Sequence, residues 1–446
     1  MRCLVALMGC LVLLGSATSW ASDTGTAPPP EETKEQRKAR TKAERKARAA
    51  APDRLEWLVV PEVSYDSDIG VGAGVLGQWA KLDPLIDPYK WRLSAQAFFS
   101  FRGDGAGGVQ ISLQHHYLIL DLPGLAEQRL RLTISFRFRR ESTHGYYGLG
   151  NGSIAEKPWE DIDRDANPDA YAAARRHHMV DRIYPVFFLK PRFRMTDTLS
   201  LFGELGGLYN RYNPYPGSRL EEDLKGGDPV LLSHLRGLEP HGQILGAIGV
   251  VADTRDDETA PESGQLTEGS IRWGKGLGSS FEYGAVNVTA RGYVPLKRDR
   301  LTLAFRGLFD GIVGNPPMYE LVRAGGLIPV REATGGAFSF RGVPAHRYYG
   351  KVKLVLNLEL RMQFFTLKIF GRDLRVGALA FVDTGRVWAD WRGTERFDAT
   401  PGNPLGLKIG GGGGLRLRLG ETIMVRIDGA GSPDGWGLYV DVDHIF

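Results

Sequence analysis

The sequence predicts an all-β fold, a 16-stranded antiparallel transmembrane β-barrel. Three observations predict it: apolar alternation of period two in unusually long runs, an even number of such runs, and connections that are alternately short and long.

The alternation is plain where Leu130, Leu132, Ile134, Phe136 and Phe138 interleave with Arg131, Thr133, Ser135, Arg137 and Arg139. Successive strand side chains point to opposite faces, so one face is apolar and the other polar. Val352, Leu354, Leu356, Leu358, Leu360, Met362 and Phe364 repeat the pattern against Lys353, Asn357, Glu359, Arg361 and Gln363, over 13 residues. Strands of soluble sandwiches run to ~5–6 residues, whereas strands that cross a membrane need ~9–11. A water-soluble sandwich and a membrane barrel share this alternation with opposite placement of the two faces, so strand length and loops decide between them.

Alternation and turn residues mark sixteen strands, at 57–65, 69–80, 91–102, 108–121, 129–140, 179–194, 199–213, 241–253, 265–275, 281–295, 299–312, 347–366, 373–388, 406–419, 421–429 and 436–446. With both chain ends in the periplasm, the periplasmic connections are all short, the longest being 254–264. The long connections, 141–178, 214–240, 313–346 and 389–405, all fall on the extracellular side. A bacterial barrel has an even strand number and this asymmetry of loops, and a sandwich has no reason for either.

Composition excludes several other classes. With 56 Lys and Arg against 52 Asp and Glu, the net charge of +4 gives no case for nucleic acid as a partner. Beyond the first twenty or so residues no run approaches the ~18 apolar residues of a membrane-spanning helix. The 58 glycines fit a turn-rich β chain.

Arg2, the apolar run from Cys3 to Leu14, and Ser19 and Ala21 around Trp20 read as a secretory signal, 1–21, cut after Ala21. Leu7-Met8-Gly9-Cys10 resembles a lipidation box only superficially, because it leaves too short an apolar region. The two cysteines lie inside the signal, so no disulfide framework is expected. A basic periplasmic linker follows at 22–54. Its stretch from Glu31 to Ala50 holds eight Lys or Arg against four Glu, a surplus equal to that of the whole chain. The linker is too short for an independent exported domain without disulfides, so one folded unit, 55–446, is expected. At the carboxyl end Leu438, Val440 and Val442 alternate with Tyr439 and Asp441, and the chain stops on Phe446. A last strand ending in Phe resembles the signal read by the barrel assembly machinery, with Tyr439, Val442 and Phe446 as its carriers.

From Val251 onward the chain resembles the bacterial surface antigen superfamily, the barrels of the Bam and Tam assembly factors and of two-partner secretion. Three motifs carry the resemblance. Asp253-Thr254-Arg255-Asp256-Asp257, with Pro261 and Gly264, is similar to the family's periplasmic turn; Asp253 and Asp256 are suited to capping amides and Arg255 to pairing with a carboxylate. Phe338-Ser339-Phe340-Arg341-Gly342-Val343 resembles the arginine-glycine motif of the sixth extracellular loop, which in the family folds back into the lumen. Phe381-Val382-Asp383-Thr384-Gly385 resembles the strand motif against which that arginine docks. The resemblance thus implies a lumen-inserted loop in which Phe340, Arg341 and Gly342 meet Phe381, Asp383 and Gly385. Tyr146-Tyr147-Gly148-Leu149-Gly150-Asn151 looks like a further family loop motif. Family members usually carry polypeptide-transport-associated domains ahead of the barrel; with its short linker this chain resembles the subgroup that lacks them, and none is expected here.

The resemblance implies a monomeric barrel in the bacterial outer membrane that assists insertion, folding or translocation of proteins or lipid. Its partners would be outer-membrane lipid, including lipopolysaccharide, the barrel assembly machinery during biogenesis, and a client outer-membrane or secreted protein. A weak seam between the first strand, short at 57–65, and the last is the expected working part. The rivals are a passive pore and a barrel partner of an outer-membrane hydrolase. No enzyme, cofactor or metal is predicted. Gly431-Ser432-Pro433-Asp434-Gly435 has the wrong spacing for a nucleophile elbow. The pairs His115-His116 and His177-His178 are adjacent residues, which on a strand face opposite ways and cannot hold one ion. Gly410 to Gly414 lacks the Lys of a phosphate loop and interrupts an alternating strand, which points to close backbone approach.

Overall fold

Sixteen antiparallel strands form a closed barrel in which each strand pairs with its sequence neighbours and the first lies beside the last. The computed structural model of the protein describes residues 54–83, 86–258, 260–297, 300–369, 372–419 and 423–442; the expected signal, nearly all of the basic linker, and Phe446 lie outside these residues. The strands are β1 (Arg54–Asp66), β2 (Gly70–Asp83), β3 (Ile86–Gly103), β4 (Val109–Gly124), β5 (Leu130–Gly145), β6 (Met179–Arg194), β7 (Leu199–Pro214) and β8 (His241–Asp253) in the first half. The second half holds β9 (Gly264–Leu277), β10 (Glu282–Lys297), β11 (Leu301–Asn315), β12 (Val352–Ile369), β13 (Arg372–Trp388), β14 (Lys408–Leu419), β15 (Ile423–Ser432) and β16 (Gly435–Val442).

Each alternating run of the sequence corresponds to one of these strands. The main differences lie at the ends. β12 starts at Val352 rather than 347, because Arg347 and Tyr349 are held by the connection after β5 and by the end of β5 itself, not by a neighbouring strand's ladder. The long connections also hold short helices the alternation did not signal, such as Arg219–Gly226, whose N-cap Ser218 accepts the Glu221 N–H.

The placement of polar and apolar residues is that of a membrane barrel. On β12, Leu356, Leu358, Leu360 and Met362 are 40–48% exposed, while Lys353, Asn357 and Glu359 between them are at most 3% exposed. Burying charge and exposing leucine on one strand is opposite to the arrangement that water stabilises. It is the arrangement expected when hydrocarbon surrounds the outside and polar side chains fill the inside.

Pairing around the barrel is uneven. β1 and β2 run in register from Arg54↔Leu82 to Asp66↔Gly70, the whole length of β1. Between β1 and β16 the described residues hold only two pairs, Tyr65↔Val440 and Asp66↔Tyr439, with one further bond from the Ser67 N–H to the Leu438 carbonyl. The first strand is therefore not short, as the alternation suggested. Among the described residues the seam is thin because pairing occurs only at the end of β1 nearest the β1–β2 turn.

Candidate functional site

The loop between β11 and β12 carries the site. It lies against the inward-facing side chains of β12 to β16, and Phe340, Arg341, Val343, Tyr348 and Tyr349 are each at most 1% exposed. Arg341 donates to Asp383 on β13 through Nε at 2.8 Å, Nη2 at 3.0 Å and its backbone N–H at 3.1 Å. Its remaining nitrogen, Nη1, is 2.8 Å from Glu359 Oε1 on β12 and 3.3 Å from Asp428 Oδ2 on β15. One guanidinium thus meets carboxylates from three strands, and its carbon lies 3.4 Å from the centre of the Phe381 ring. The planar fork of arginine matches one carboxylate with two parallel bonds, and its face stacks on an aromatic ring. Burial disfavours the charge of Arg341, but Glu359, Asp383 and Asp428 outweigh it and hold the guanidinium above its ordinary pKa.

The carboxylates are themselves held. Asn357, opposite Asp383 in the β12–β13 register, donates to Asp383 Oδ1 at 2.7 Å and to the Ser339 carbonyl at 2.7 Å. Arg416 grips Asp428 through Nη1 and Nη2 at 2.5 and 3.1 Å, and Arg361 Nη2 is 2.7 Å from Glu359 Oε2. A buried carboxylate with such partners is held in one orientation.

Three glycines let the loop approach the wall. Gly342 has φ +87°, a left-handed conformation, and a Cβ there would lie 2.9 Å from the Gly431 backbone. Its N–H donates to the Tyr439 hydroxyl at 3.1 Å and its carbonyl accepts from the Ser432 hydroxyl at 2.8 Å. On β14 a Cβ at Gly410 would lie 2.3 Å from the Arg341 carbonyl, which gives the glycine run its close approach. At Gly385 an added Cβ would meet the Phe340 ring at 2.5 Å.

The loop also reaches both sides of the seam. On the β1 side the Ala345 N–H donates to Asp68, in the β1–β2 turn, at 2.9 Å. Across the seam, Gly342 holds Tyr439 of β16, while Arg347 and the Tyr348 hydroxyl meet Asp434 in the β15–β16 turn. The Tyr146–Asn151 motif packs here as well, since Leu149 bridges to Tyr349 and the Gly150 N–H donates to the Tyr349 carbonyl at 2.7 Å.

The other sequence motifs fall into separate places. Asp253, Arg255 and Asp256 form a self-contained turn between β8 and β9, on the rim opposite the long loops. Arg255 forks onto Asp253 with two bonds of 3.0 Å, and Asp256 Oδ1 accepts the N–H groups of Asp257, Glu262 and Ser263. Pro261 is buried there, and Gly264 adopts φ +92°. The turn reaches β14 through Asp257 and Arg418 at 2.8 Å, not the Arg341 cluster. Tyr439, expected as part of a terminal signal, is 2% exposed and faces the loop; Phe446 is outside the described residues. His177 and His178 precede β6 and touch ring to ring at 4.7 Å, so the opposite-face argument holds for His115 and His116 alone.

Glu359, Asp428, Asn357 and Arg416 were not singled out in the sequence. The signal available was their strand phase, which marks an inward polar residue but not the loop residue it meets.

A closed 16-stranded barrel whose long loop is fixed by arginine to its wall defines the class. A family model described as the Omp85 superfamily domain matches residues 83–430, and the chain belongs to that family. Among solved structures, BamA from Haemophilus ducreyi lacking POTRA domains 1–3 is 14% identical, with 88% of this chain and 71% of that chain covered and a TM-score of 0.53. CdiB from Escherichia coli is 12% identical, with 89% and 69% covered and a TM-score of 0.49. At 14% identity the likeness to BamA is one of fold. No curated protein matches the chain in sequence.

Proposed function

We propose that the protein is a bacterial outer-membrane barrel, with both chain ends in the periplasm, that assists the insertion, folding or translocation of proteins or lipid. The observation that carries this reading is the loop from β11 to β12, which holds both sides of a seam with two described strand pairs. An under-paired strand edge is a template for another strand, and release of the loop frees that edge. Arg341 on Asp383 is then the latch, and Gly342 with Tyr439 and Ala345 with Asp68 are the clasp. The partners on this reading are outer-membrane lipid, including lipopolysaccharide, the barrel assembly machinery during the protein's own biogenesis, and an outer-membrane or secreted client. The barrel acts as a monomer by strand rearrangement, without covalent chemistry.

The test locks the seam. Tyr65→Cys and Val440→Cys, at a paired position, are oxidised in the full chain reconstituted into lipid vesicles, and the folding of a small urea-unfolded outer-membrane barrel is followed by its gel mobility. Acceleration that vanishes on oxidation and returns on reduction supports the gate. Equal acceleration in both states rejects it, and steady conductance in both states favours a passive pore.

A further inference from the structure

A second anchor for the same loop lies at β5, eight strands around the closed barrel from β13 and hence across the lumen. Glu141 and His144 are three apart and on a regular strand would face opposite ways. A register shift between them turns both inward, and they are 3% and 1% exposed. His346 comes from the loop, is 5% exposed, and places its ring centroid 4.0 Å from that of His144. One potential ligand atom from each of the three lies within 4.8 Å of the others.

With His144 neutral, the hydrogen bonds around these residues do not close. The Tyr349 hydroxyl donates its only proton to the Gly145 carbonyl at 2.6 Å. His144 Nε2, 3.2 Å from the same hydroxyl oxygen, must then be the donor to it. A neutral His144 is left with an unprotonated Nδ1, which faces the carboxylate oxygen Oε2 of Glu141 at 2.7 Å, acceptor against acceptor. The other oxygen of Glu141 is occupied by Arg139 and by the Tyr184 hydroxyl. His346 Nδ1 is buried without any hydrogen-bond partner, on a residue held at φ +56° in the left-handed region. A cation among the three satisfies every one of these atoms.

We propose that Glu141, His144 and His346 bind a divalent transition-metal ion of the zinc type, which fastens the outgoing limb of the loop to β5. Two imidazoles and one carboxylate are a borderline ligand set suited to such ions, and Tyr349 supplies the outer hydrogen bond that orients His144. Ligands about 2.1 Å from one ion lie at most about 4.2 Å apart, so a cluster spread within 4.8 Å needs only a small inward movement of side chains to bind. The inference is independent of what the barrel transports.

The full chain in detergent micelles is stripped with chelator and titrated with Co2+ alone, then with Zn2+ as competitor. The expected result is saturable uptake of one Co2+ per chain with visible ligand-field absorption that Zn2+ abolishes. His346→Asn keeps a residue tolerant of left-handed backbone and is expected to weaken binding by more than about 100-fold, while Tyr349→Phe weakens it by roughly 10-fold. Heat-modified gel mobility verifies that each variant is a folded barrel, and Zn2+ is expected to slow proteolysis of the loop in the wild type but not in His346→Asn. Absence of saturable uptake by the wild type overturns the proposal and leaves a protonated His144 as donor to Glu141. Equal uptake by a folded His346→Asn chain also overturns it.

Discussion

Asp383 receives three hydrogen bonds from a single loop residue, Arg341, two from the guanidinium and one from the backbone N–H. The loop is thereby fixed in orientation as well as position, because a backbone donor and a side-chain fork converge on one carboxylate. Arg341 also serves Glu359 and Asp428, so replacing it leaves buried carboxylates on three strands short of a partner.

Arg341→Lys is expected to behave more like a deletion than a conservative change. A lysine is a point charge on a flexible stem and cannot fork onto Asp383 while reaching Glu359 and stacking on Phe381. Urea unfolding in detergent is expected to show most of the ~3–5 kcal/mol loss typical of breaking a buried pair. A loss below ~1 kcal/mol would mean that the charge alone holds the loop.

Gly342→Ala places a methyl against the Gly431 backbone at a left-handed φ, and is expected to cost ~1–3 kcal/mol and expose the loop to protease. Gly429→Ala is the control, since nothing lies within 4 Å of a Cβ there. Equal protease resistance of the two variants would show that the loop does not depend on this approach.

The stability of the folded barrel is expected to fall as pH rises. Burial raises Asp68, which accepts the Ala345 N–H, from 3.8 to about 6, and raises Glu332 from 4.5 to about 7. A carboxyl whose pKa is higher in the folded state stabilises that state below its unfolded pKa and loses the contribution as pH climbs through the folded value. Stability is therefore expected to decline between about pH 4 and pH 7 from these two groups. Asp68→Asn mimics the protonated form and flattens the slope; urea midpoints at pH 5 and pH 7.5 check it, and an unchanged slope in the variant would remove Asp68 from the account.

Much of the fold was legible because a barrel strand writes its two solvents into alternate residues. Leu356, Leu358 and Leu360 against Asn357 and Glu359 is readable without coordinates, and the loop asymmetry supplied the closure. The pairing of Arg341 with Asp383 came from resemblance, since a lone arginine in a long loop carries no such information. What was not legible is long-range. Nothing local ties Arg341 to Asp428 or Gly342 to Tyr439, and the shift that turns both Glu141 and His144 inward breaks the very alternation used to read the strand. Likewise the sparse pairing of β1 with β16 among the described residues follows from where the two strands meet, not from the length of β1.

Arg341 and Asp383 act as one unit holding the loop to the wall. A simple charge swap tests it poorly, because an aspartate at 341 would face Glu359 and Asp428. The direct measurement is a double-mutant cycle of Arg341→Ala and Asp383→Asn, read by urea unfolding of the full barrel in detergent. Costs in the double variant well below the sum of the two singles, with a coupling of ~1–3 kcal/mol, are the predicted result. Additive costs would mean that Arg341 and Asp383 stabilise the barrel independently of one another.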